Sequence, residues 1–243
     1  MKTKIIAHRG ASKYAPENTM PAFELAYKMG AGGIETDVQL TKDRVPVLIH
    51  DEHVSRTTDG TGFIKDLTYN ELKNLDAGSW FSYRFKNTQI LPLHDFLKWA
   101  KNKPLYLNIE LKNNKIDYKH LEGIVYEQID HYQLLNRTTI STFNPNSIKR
   151  LKRYNAHVEI AFLAAKRMKG LIDFVVVLGG NALHVKYSLL NTKLLQESKQ
   201  KNIPLRVYTV NRKSRIVRCL KYRVDGIFTD VPDKAESIRN YIY

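Results

Sequence analysis

The sequence predicts an α/β fold, a (β/α)8 TIM barrel with a small insertion after its second strand. Short apolar segments alternate with longer amphipathic ones along the 243 residues, which is the pattern of parallel strands joined by crossover helices. Eight of the apolar segments have the length of strands. No stretch rich in proline, glycine or serine divides the chain, so we expect a single domain over residues 1–243.

The predicted strands and helices alternate from one end of the chain to the other. Strands are expected at residues 4–8, 33–38, 105–111, 138–142, 158–163, 181–186, 204–209 and 225–229. Helices are expected at residues 19–29, 117–132, 145–154, 166–177, 191–201, 212–221 and 232–241. Asn18 or Thr19 is the expected N-cap of the first helix, because short polar side chains accept hydrogen bonds from free backbone N–H groups there.

Residues 42–103 are too many for one connection between a strand and a helix, and they form the predicted insertion. A turn at 42–44 leads to an extra strand at 45–49, and a helix at 92–101 ends the insertion. One side of an extended segment would carry three aromatic residues, Phe81, Tyr83 and Phe85. They are expected to pack the insertion onto the barrel, and the alternative is an apolar lip beside the open end of the barrel.

The composition indicates a globular protein that attracts anions. Hydrophobic residues make up 43% of the chain, and 39 lysines and arginines against 24 acidic residues give a net charge of +15. Phosphodiesters, anionic lipid surfaces and nucleic acids are all compatible with that charge. No run approaches the roughly 18 apolar residues of a membrane span, and too few apolar residues precede His8 for a signal peptide. The only cysteine, Cys219, excludes an intramolecular disulfide, so we expect a cytoplasmic protein.

Ionisable residues stand at or near the ends of the first predicted strands. His8 closes the first strand, and His50 follows the extra strand. Glu35 and Asp37 lie two apart on the second strand, so they share one face. Because the carboxyl ends of parallel strands meet at one end of a barrel, these side chains and the neighbouring Arg9 should lie close together. Two histidines, an arginine and two carboxylates are the outline of a site for phosphate esters.

Three carboxylates are candidate ligands of a metal ion. Glu35, Asp37 and Glu110 offer oxygen atoms, which suit a hard divalent cation. Glu110 lies in the apolar run 105–111, where an acid without a partner would be costly. No cluster of cysteine and histidine has the spacing of a zinc site. We therefore expect one divalent cation, Mg²⁺ or Ca²⁺, with Mn²⁺ as a further option.

His8 and His50 are the candidate catalytic residues, because imidazole transfers protons near neutral pH. Together they would supply a general base and a general acid, and the sequence leaves open which is which. The other histidines do not close strands beside the candidate metal ligands and are expected to be structural or on the surface; they are His53, His94, His120, His131, His157 and His184.

Arg9 and Lys112 are the candidate ligands of a phosphate group. Lys112 lies two residues beyond Glu110, so strand alternation directs both side chains the same way. Arginine presents a planar fork of donors and lysine a point charge, and both suit phosphoryl oxygens. Four nearby polar residues are expected to have structural roles, namely Glu17 and Asn18 in the first strand-to-helix loop and Asn211 and Asp230 as helix caps.

The order and spacing of these residues resemble the signature of the glycerophosphodiester phosphodiesterases over essentially the whole chain. The motifs that carry the resemblance include His8-Arg9-Gly10-Ala11, Pro16-Glu17-Asn18-Thr19, Gly33-Ile34-Glu35-Thr36-Asp37-Val38, His50-Asp51, Arg56-Thr57-Thr58, Asn108-Ile109-Glu110-Leu111-Lys112 and Asp225-Gly226-Ile227-Phe228-Thr229-Asp230. The resemblance implies a (β/α)8 barrel that hydrolyses deacylated phospholipids, which are small glycerophosphodiesters, to glycerol 3-phosphate and an alcohol.

The resemblance also implies roles for individual residues. Glu35, Asp37 and Glu110 would be metal ligands, and His8 and His50 would be the general acid and base. In the family mechanism the glycerol 2-hydroxyl of the substrate attacks phosphorus, and water then opens the cyclic phosphate.

Two positions depart from the family pattern. Tyr208 stands where tryptophan is common on the barrel wall against the glycerol moiety. It remains a predicted substrate contact, and the head-group preference stays open. His94 stands where an acidic residue is more usual, which we interpret as a neutral change at a helix start.

Two other functions remain as alternatives. Related enzymes on this scaffold act on lysophospholipids, so a lysophospholipase D activity is the second hypothesis. A phosphate-binding barrel without activity is disfavoured, because every proposed catalytic position is filled. The charge is compatible with peripheral contact with an anionic membrane, whereas no motif for specific nucleic-acid binding accompanies it. The oligomeric state stays open.

Overall fold

Eight parallel strands close into a barrel, which confirms the predicted fold. The computed structural model describes residues 2–154 and 158–243, so the expected role of His157 lies outside the described residues. The strands are β1 (Lys4–His8), β2 (Gly33–Leu40), β3 (Pro46–Leu48), β4 (Tyr106–Leu111), β5 (Thr138–Thr142), β6 (Glu159–Ala164), β7 (Ala182–Lys186), β8 (Leu205–Tyr208) and β9 (Gly226–Thr229). Apart from β3, they follow one another around the barrel in chain order, and β9 pairs with β1 to close it.

Helices follow the strands at the predicted places, with ends that differ by a few residues, and one short helix of the insertion, Tyr69–Leu72, was not predicted. They are α1 (Met20–Lys28), α2 (Tyr69–Leu72), α3 (Leu93–Ala100), α4 (Leu121–His131), α5 (Pro145–Leu151), α6 (Leu171–Leu178), α7 (Thr192–Gln200), α8 (Lys213–Tyr222) and α9 (Pro232–Ile242). α4 and α6 begin later than predicted because His120 and Gly170, which precede them, both have a φ of +66°. A right-handed helix excludes that conformation. Among the described helices, none is long and apolar enough to cross a bilayer.

The apolar core fills the layer between the barrel wall and the helices. Side chains alternate along each strand, so Ile5, Ile34 and Ile109 face the helices, where they are fully buried. Phe23 of α1 and Phe96 of α3 pack with their ring centroids 4.7 Å apart. Full burial of an apolar side chain of this size contributes about 1.5–3 kcal/mol to stability. This layer holds the strand ends, and hence any site built on them, in fixed positions.

The interior of the barrel near the amino-terminal ends of the strands holds a polar cluster that the sequence analysis did not predict. Arg206 donates to Glu159 at 2.6 Å, and its guanidinium lies 5.0 Å from the centre of the Tyr106 ring. The ammonium of Lys4 lies 4.2 Å from the centre of the same ring. His184 is fully buried beside Arg206, and burial together with that charge lowers its pKa well below the usual value. We name these five residues the barrel floor.

The insertion has a small apolar core of its own beside the barrel. Its buried members are Val47, Ile49, Val54, Ile64, Leu72, Ala77 and Ile90. The predicted extra strand is present as β3, which pairs antiparallel with β2.

The prediction that residues 81–85 are extended is wrong, because Tyr83–Phe85 form a turn of 3-10 helix. The rings of Phe81 and Phe85 pack edge to face, with centroids 5.7 Å apart. Tyr83 takes no part in that ring contact, and 76% of its surface is exposed.

Candidate active site at the carboxyl ends of the strands

Three carboxylates converge at the carboxyl ends of β2 and β4. Glu35 and Asp37 lie two apart on β2, and Asp37 is the register partner of Glu110 on β4. One oxygen from each residue lies within 4.8 Å of the other two. Glu35 and Asp37 are almost entirely buried. The structure therefore brings together the three residues that the sequence analysis selected as metal ligands.

The electrostatics of this cluster suits a divalent cation. Oε1 of Glu35 and Oδ1 of Asp37 are buried and have no hydrogen-bond partner among the described residues. Burial raises the pKa of Glu35, and the charge of Asp37 raises it further. Burial also opposes ionisation of Asp37, but Arg9 and Lys112 outweigh it and lower the pKa of that carboxyl. A hard cation would contact the unpartnered oxygens and offset the repulsion between the carboxylates, so this donor set fits the expected metal.

Arg9 and Lys112 place positive charge against the same carboxylates. Nε of Arg9 lies 3.1 Å from Oδ2 of Asp37, and the backbone N–H of Arg9 donates to Glu35 at 2.8 Å. Nζ of Lys112 donates to Glu110 at 2.8 Å and lies 3.7 Å from Oδ1 of Asp37. Both cations are therefore within reach of an anion that binds at the carboxylate cluster.

His8 closes β1 and contacts a carboxylate from the other end of the chain. Its Nδ1 donates to Oδ1 of Asp230 at 2.7 Å. Burial and the charge of Arg9 oppose protonation of His8, but Glu35 and Asp230 outweigh them and raise its pKa. Because Nδ1 is engaged, Nε2 is the ring nitrogen that remains for proton transfer.

The predicted helix-capping roles of Asn211 and Asp230 are wrong. The N-caps of α8 and α9 are Arg212 and Val231, and neither forms a side-chain cap. Asp230 instead accepts hydrogen bonds from Asn211 at 2.5 Å and from the Ser12 hydroxyl at 3.2 Å, besides the one from the histidine. In the sequence a cap and a histidine partner look alike, since both are short polar residues between a strand and a helix.

His50 follows β3 and contacts the next residue in the chain. Its Nδ1 donates to Oδ1 of Asp51 at 2.6 Å. Nε2 of Gln39 on β2 donates to the backbone oxygens of His50 at 3.0 Å and Asp51 at 2.6 Å, so the turn is tied to the barrel wall. Both histidines thus have Nδ1 bonded to an aspartate, an arrangement that the sequence analysis did not predict.

Asn18 contacts the carboxylate cluster directly, which goes beyond the loop-shaping role predicted for it. Its amide nitrogen donates to Oδ2 of Asp37 at 3.0 Å, and its oxygen accepts from the Thr36 hydroxyl at 2.8 Å. The N-cap of α1 is Thr19, one of the two expected residues. Its hydroxyl donates to the Pro16 carbonyl at 2.6 Å and forms no side-chain cap.

Tyr208 ends β8, at the same end of the barrel. Its hydroxyl donates to the carbonyl of Ala164 at 2.9 Å, and its ring meets Phe143 edge to face at 6.2 Å. Burial raises the pKa of Tyr208, so the hydroxyl stays protonated. The other departure from the family pattern, His94, lies at the start of α3, where its ring contacts the Tyr132 hydroxyl at 2.8 Å.

Known proteins resemble this chain along nearly its whole length. The sequence pattern of the glycerophosphoryl diester phosphodiesterase family matches residues 8–234. A glycerophosphodiester phosphodiesterase from Caldanaerobacter subterraneus is 40% identical over 233 residues, which cover 96% of each chain. The uncharacterised protein YqiK of Bacillus subtilis is 39% identical over 238 residues, which cover 97% of this chain and 98% of YqiK.

A solved structure adds a likeness in three dimensions. A phosphodiesterase from Oleispira antarctica, in complex with the product sn-glycerol-3-phosphate, superposes with a TM-score of 0.92 at 28% identity. The likeness covers 98% of this chain and 97% of that one. The closed barrel, the carboxylate cluster and the match over residues 8–234 agree with one another. This chain belongs to the glycerophosphoryl diester phosphodiesterase family.

Proposed function

We propose that this protein hydrolyses glycerophosphodiesters to glycerol 3-phosphate and an alcohol such as choline, ethanolamine or glycerol, with a divalent metal ion. One observation carries the proposal, namely that two histidine–aspartate pairs lie at the end of the barrel where three carboxylates and two cations meet. Two further observations support it. A close relative is named for this activity, and a structural relative was solved with sn-glycerol-3-phosphate.

Arg9 and Lys112 bind the phosphodiester in the proposed reaction. Both already lie against the buried carboxylate of Asp37, so their charges are held in position before the substrate arrives. They neutralise the phosphoryl oxygens as negative charge develops there. The aromatic face of Tyr208 packs against the glycerol moiety. Glu35, Asp37 and Glu110 would hold the metal, which supplies further positive charge to the phosphoryl oxygens when bound.

His8 and His50 carry the protons in the proposed reaction. One imidazole takes a proton from the attacking hydroxyl, and the other gives a proton to the leaving alkoxide. Asp230 and Asp51 orient the rings through Nδ1 and stabilise each ring while it is protonated. Groups that transfer protons in this way typically contribute about 10²- to 10⁴-fold to the rate. The two pairs have the same geometry at Nδ1, so a leaving-group experiment has to distinguish acid from base.

Mg²⁺ or Ca²⁺ is the proposed metal, and Mn²⁺ is the third candidate. The ligands that the chain offers are all oxygen atoms, which these cations prefer. Mg²⁺ demands a nearly ideal octahedron, whereas Ca²⁺ accepts more ligands at longer distances. Calorimetric titration of the metal-free protein with each cation would rank their affinities.

Water-soluble diesters are the proposed substrates, in preference to lysophospholipids. Phe81 and Phe85 pack against each other, and Tyr83 takes no part in that contact and is exposed. From this arrangement we expect no continuous apolar lip along which an acyl chain could lie.

The proposed setting is the cytoplasm. The free thiol of Cys219 is buried, which suits a reducing compartment, and the net charge of +15 would permit peripheral contact with an anionic membrane. Cell fractionation and sedimentation with anionic vesicles test these two points separately.

The barrel and the insertion are proposed to form one domain over residues 1–243. Pairing of β3 with β2 and the bonds from Gln39 to the turn after β3 join the insertion to the wall of the barrel. A single unfolding transition followed by two spectroscopic probes would support this division.

A coupled assay for release of glycerol 3-phosphate tests the proposed function. The protein is first treated with chelator and then assayed with Mg²⁺, Ca²⁺ or Mn²⁺ across glycerophosphocholine, glycerophosphoethanolamine and glycerophosphoglycerol. Metal-dependent release is expected for at least one of these substrates. If the purified protein releases no glycerol 3-phosphate under any condition but binds it in calorimetry, the non-catalytic barrel is the better description.

A further inference from the structure

We propose that Arg56, which lies in the insertion, is a positioning residue that holds both His50 and Arg9 in place through two shared carboxylates. The inference rests on the proposed function. Nη1 and Nη2 of Arg56 donate to the two oxygens of Glu17 at 2.9 and 2.7 Å. Its Nε donates to Oδ2 of Asp51. One guanidinium therefore joins the loop after β1 to the turn after β3.

The first connection runs from Arg56 through Asp51 to His50. Asp51 accepts from Arg56 with one oxygen and from His50 with the other. Burial opposes ionisation of Asp51, but its hydrogen bonds and ion pairs with Arg56 and His50 together outweigh it and lower its pKa to about 2. The carboxylate is thus charged at neutral pH and held at both oxygens. Without Arg56 one oxygen would lose its partner, and the carboxylate that orients His50 would be free to rotate.

The second connection runs from Arg56 through Glu17 to Arg9. Oε1 of Glu17 accepts from Nη2 of Arg56 at 2.7 Å and from Nη1 of Arg9 at 2.9 Å. Burial opposes the charge of Glu17, but Arg56 and Arg9 outweigh it and lower its pKa. Two arginines therefore compete for one carboxylate. While Arg56 engages both oxygens, Glu17 gives Arg9 a single contact, and the Nε of Arg9 remains directed at Asp37.

The geometry indicates that Arg56 positions other side chains and does little to stabilise the fold. Its side chain is 42% exposed, and ion pairs with that much contact with water contribute little to the stability of a fold. Its planar fork, however, contacts two carboxylates from different segments at once, which the single ammonium of lysine cannot reproduce. The core of the insertion holds the backbone of Arg56 in place. Arg56 ends the 3-10 turn Val54–Arg56, and Val54 of this turn is fully buried in that core.

Arg84 provides a matched control. It is an exposed arginine of the insertion that also contacts the loop after β1, where it donates to the carbonyl of Tyr14 at 2.7 Å. Among the described residues it forms no hydrogen bond or ion pair with a histidine, a carboxylate of the site or Arg9. Loss of Arg84 weakens the docking of the insertion onto this loop and leaves both connections through Arg56 intact.

The test compares Arg56→Gln, Arg56→Lys and Arg84→Gln in the metal-loaded enzyme with a soluble glycerophosphodiester. Arg56→Gln is expected to lower kcat by about 10- to 100-fold, the usual range for a residue that orients a functional ligand from behind, and to raise KM. Arg56→Lys should recover only part of the loss. Arg84→Gln should keep kcat and KM near those of the wild type.

Double variants distinguish positioning from a general loss of structure. In an Asp51→Asn background the effect of Arg56→Gln on kcat should shrink strongly, and in a Glu17→Gln background its effect on KM should shrink. Fully additive effects in both backgrounds, or equal losses for Arg84→Gln, would overturn the inference. So would wild-type kinetics for Arg56→Gln in an active wild-type enzyme. An inactive wild type would instead refute the proposed function. If Arg56→Gln does not fold, the same cycles are measured with Arg56→Lys.

Discussion

The imidazole of His8 and the carboxylate of Asp230 share a 2.7 Å hydrogen bond although they lie 222 residues apart in the chain. Closure of the barrel brings them together, because β1 pairs with β9, the strand that Asp230 follows. Asp230→Asn keeps the size of the side chain and removes the charge that stabilises protonated His8. We expect kcat to fall about 10- to 100-fold with little change in KM.

Asp233→Asn is the control for this variant. Asp233 lies three residues further on and accepts a hydrogen bond from the Tyr14 hydroxyl at 3.0 Å. Steady-state kinetics of the two variants give the comparison, and equal kcat values for both would contradict a role for Asp230 in catalysis.

Removal of the metal should abolish turnover and lower the free energy of unfolding. Glu35→Gln, Asp37→Asn and Glu110→Gln should each weaken binding of Mg²⁺ or Ca²⁺ in calorimetry. In the wild type, cation at about 100 times its Kd should add about 2.7 kcal/mol to the free energy of unfolding. Glu71→Gln, in the insertion, serves as the control. Full activity of the purified apoprotein in excess chelator would rule out a catalytic metal.

Replacement of either histidine should slow the reaction while the fold is kept. We expect His8→Ala and His50→Ala each to lower kcat by about 10²- to 10⁴-fold. An aryl phosphodiester has a leaving group of low pKa, which needs little protonation, so it should partly rescue the variant that lacks the general acid. Equal losses for both variants on both substrates would argue against a division into acid and base.

The aromatic pair of the insertion should matter for stability more than for substrate choice. Phe81→Ala or Phe85→Ala removes the edge-to-face contact at 5.7 Å, so we expect Tm to fall by at least about 2 °C. The ratio of kcat/KM for glycerophosphocholine to that for a lysophospholipid should stay constant. Tyr83→Ala, at an exposed position, should change neither quantity. Preference for the monomeric lysophospholipid, lost in either variant without a change in Tm, would favour the lipid-hydrolase hypothesis.

Mild acid should destabilise the protein through His184. Its pKa in the folded state lies well below the usual 6.5, because the ring is buried and faces Arg206. Below about pH 6.5 the unfolded chain takes up a proton that the folded chain does not, so the free energy of unfolding falls as pH falls, by at most about 1.4 kcal/mol per pH unit.

Urea titrations between about pH 7 and 5.5 measure this slope. His184→Gln should flatten it, whereas His131→Gln, which alters an exposed residue, should not. An unchanged slope in His184→Gln would show that other groups dominate the response to acid.

Local patterns in the sequence were enough to locate most of the candidate site. Glu35 and Asp37 share a face because residues two apart on a strand always do, and the same alternation placed Lys112 with Glu110. The ends of strands can also be recognised in the sequence, because the apolar runs that stop at His8 and at Lys112 mark the carboxyl end of the barrel.

Contacts between distant segments were beyond that kind of reasoning. Asp230 has the sequence context of a helix cap, and only closure of the barrel shows that it faces His8. Arg206 and Glu159 lie 47 residues apart on strands that are not adjacent, so neither residue signals the other in the sequence. Residues 81–85 alternate like a strand, yet the local turn geometry decided their conformation.

The barrel floor lies at the end of the barrel opposite the candidate active site, where the strands begin. Arg206 and Tyr106 are buried there and His184 is fully buried, so among the described residues these side chains fill the axis of the barrel at that end. We therefore expect substrates and products of a site at the carboxyl ends of the strands to enter and leave through the same opening. In the proposed reaction both products, the alcohol and glycerol 3-phosphate, would leave through that opening, and a product that has not yet left would occupy the position that the next substrate needs. Accumulated product would consequently slow the enzyme by competing with the substrate for entry.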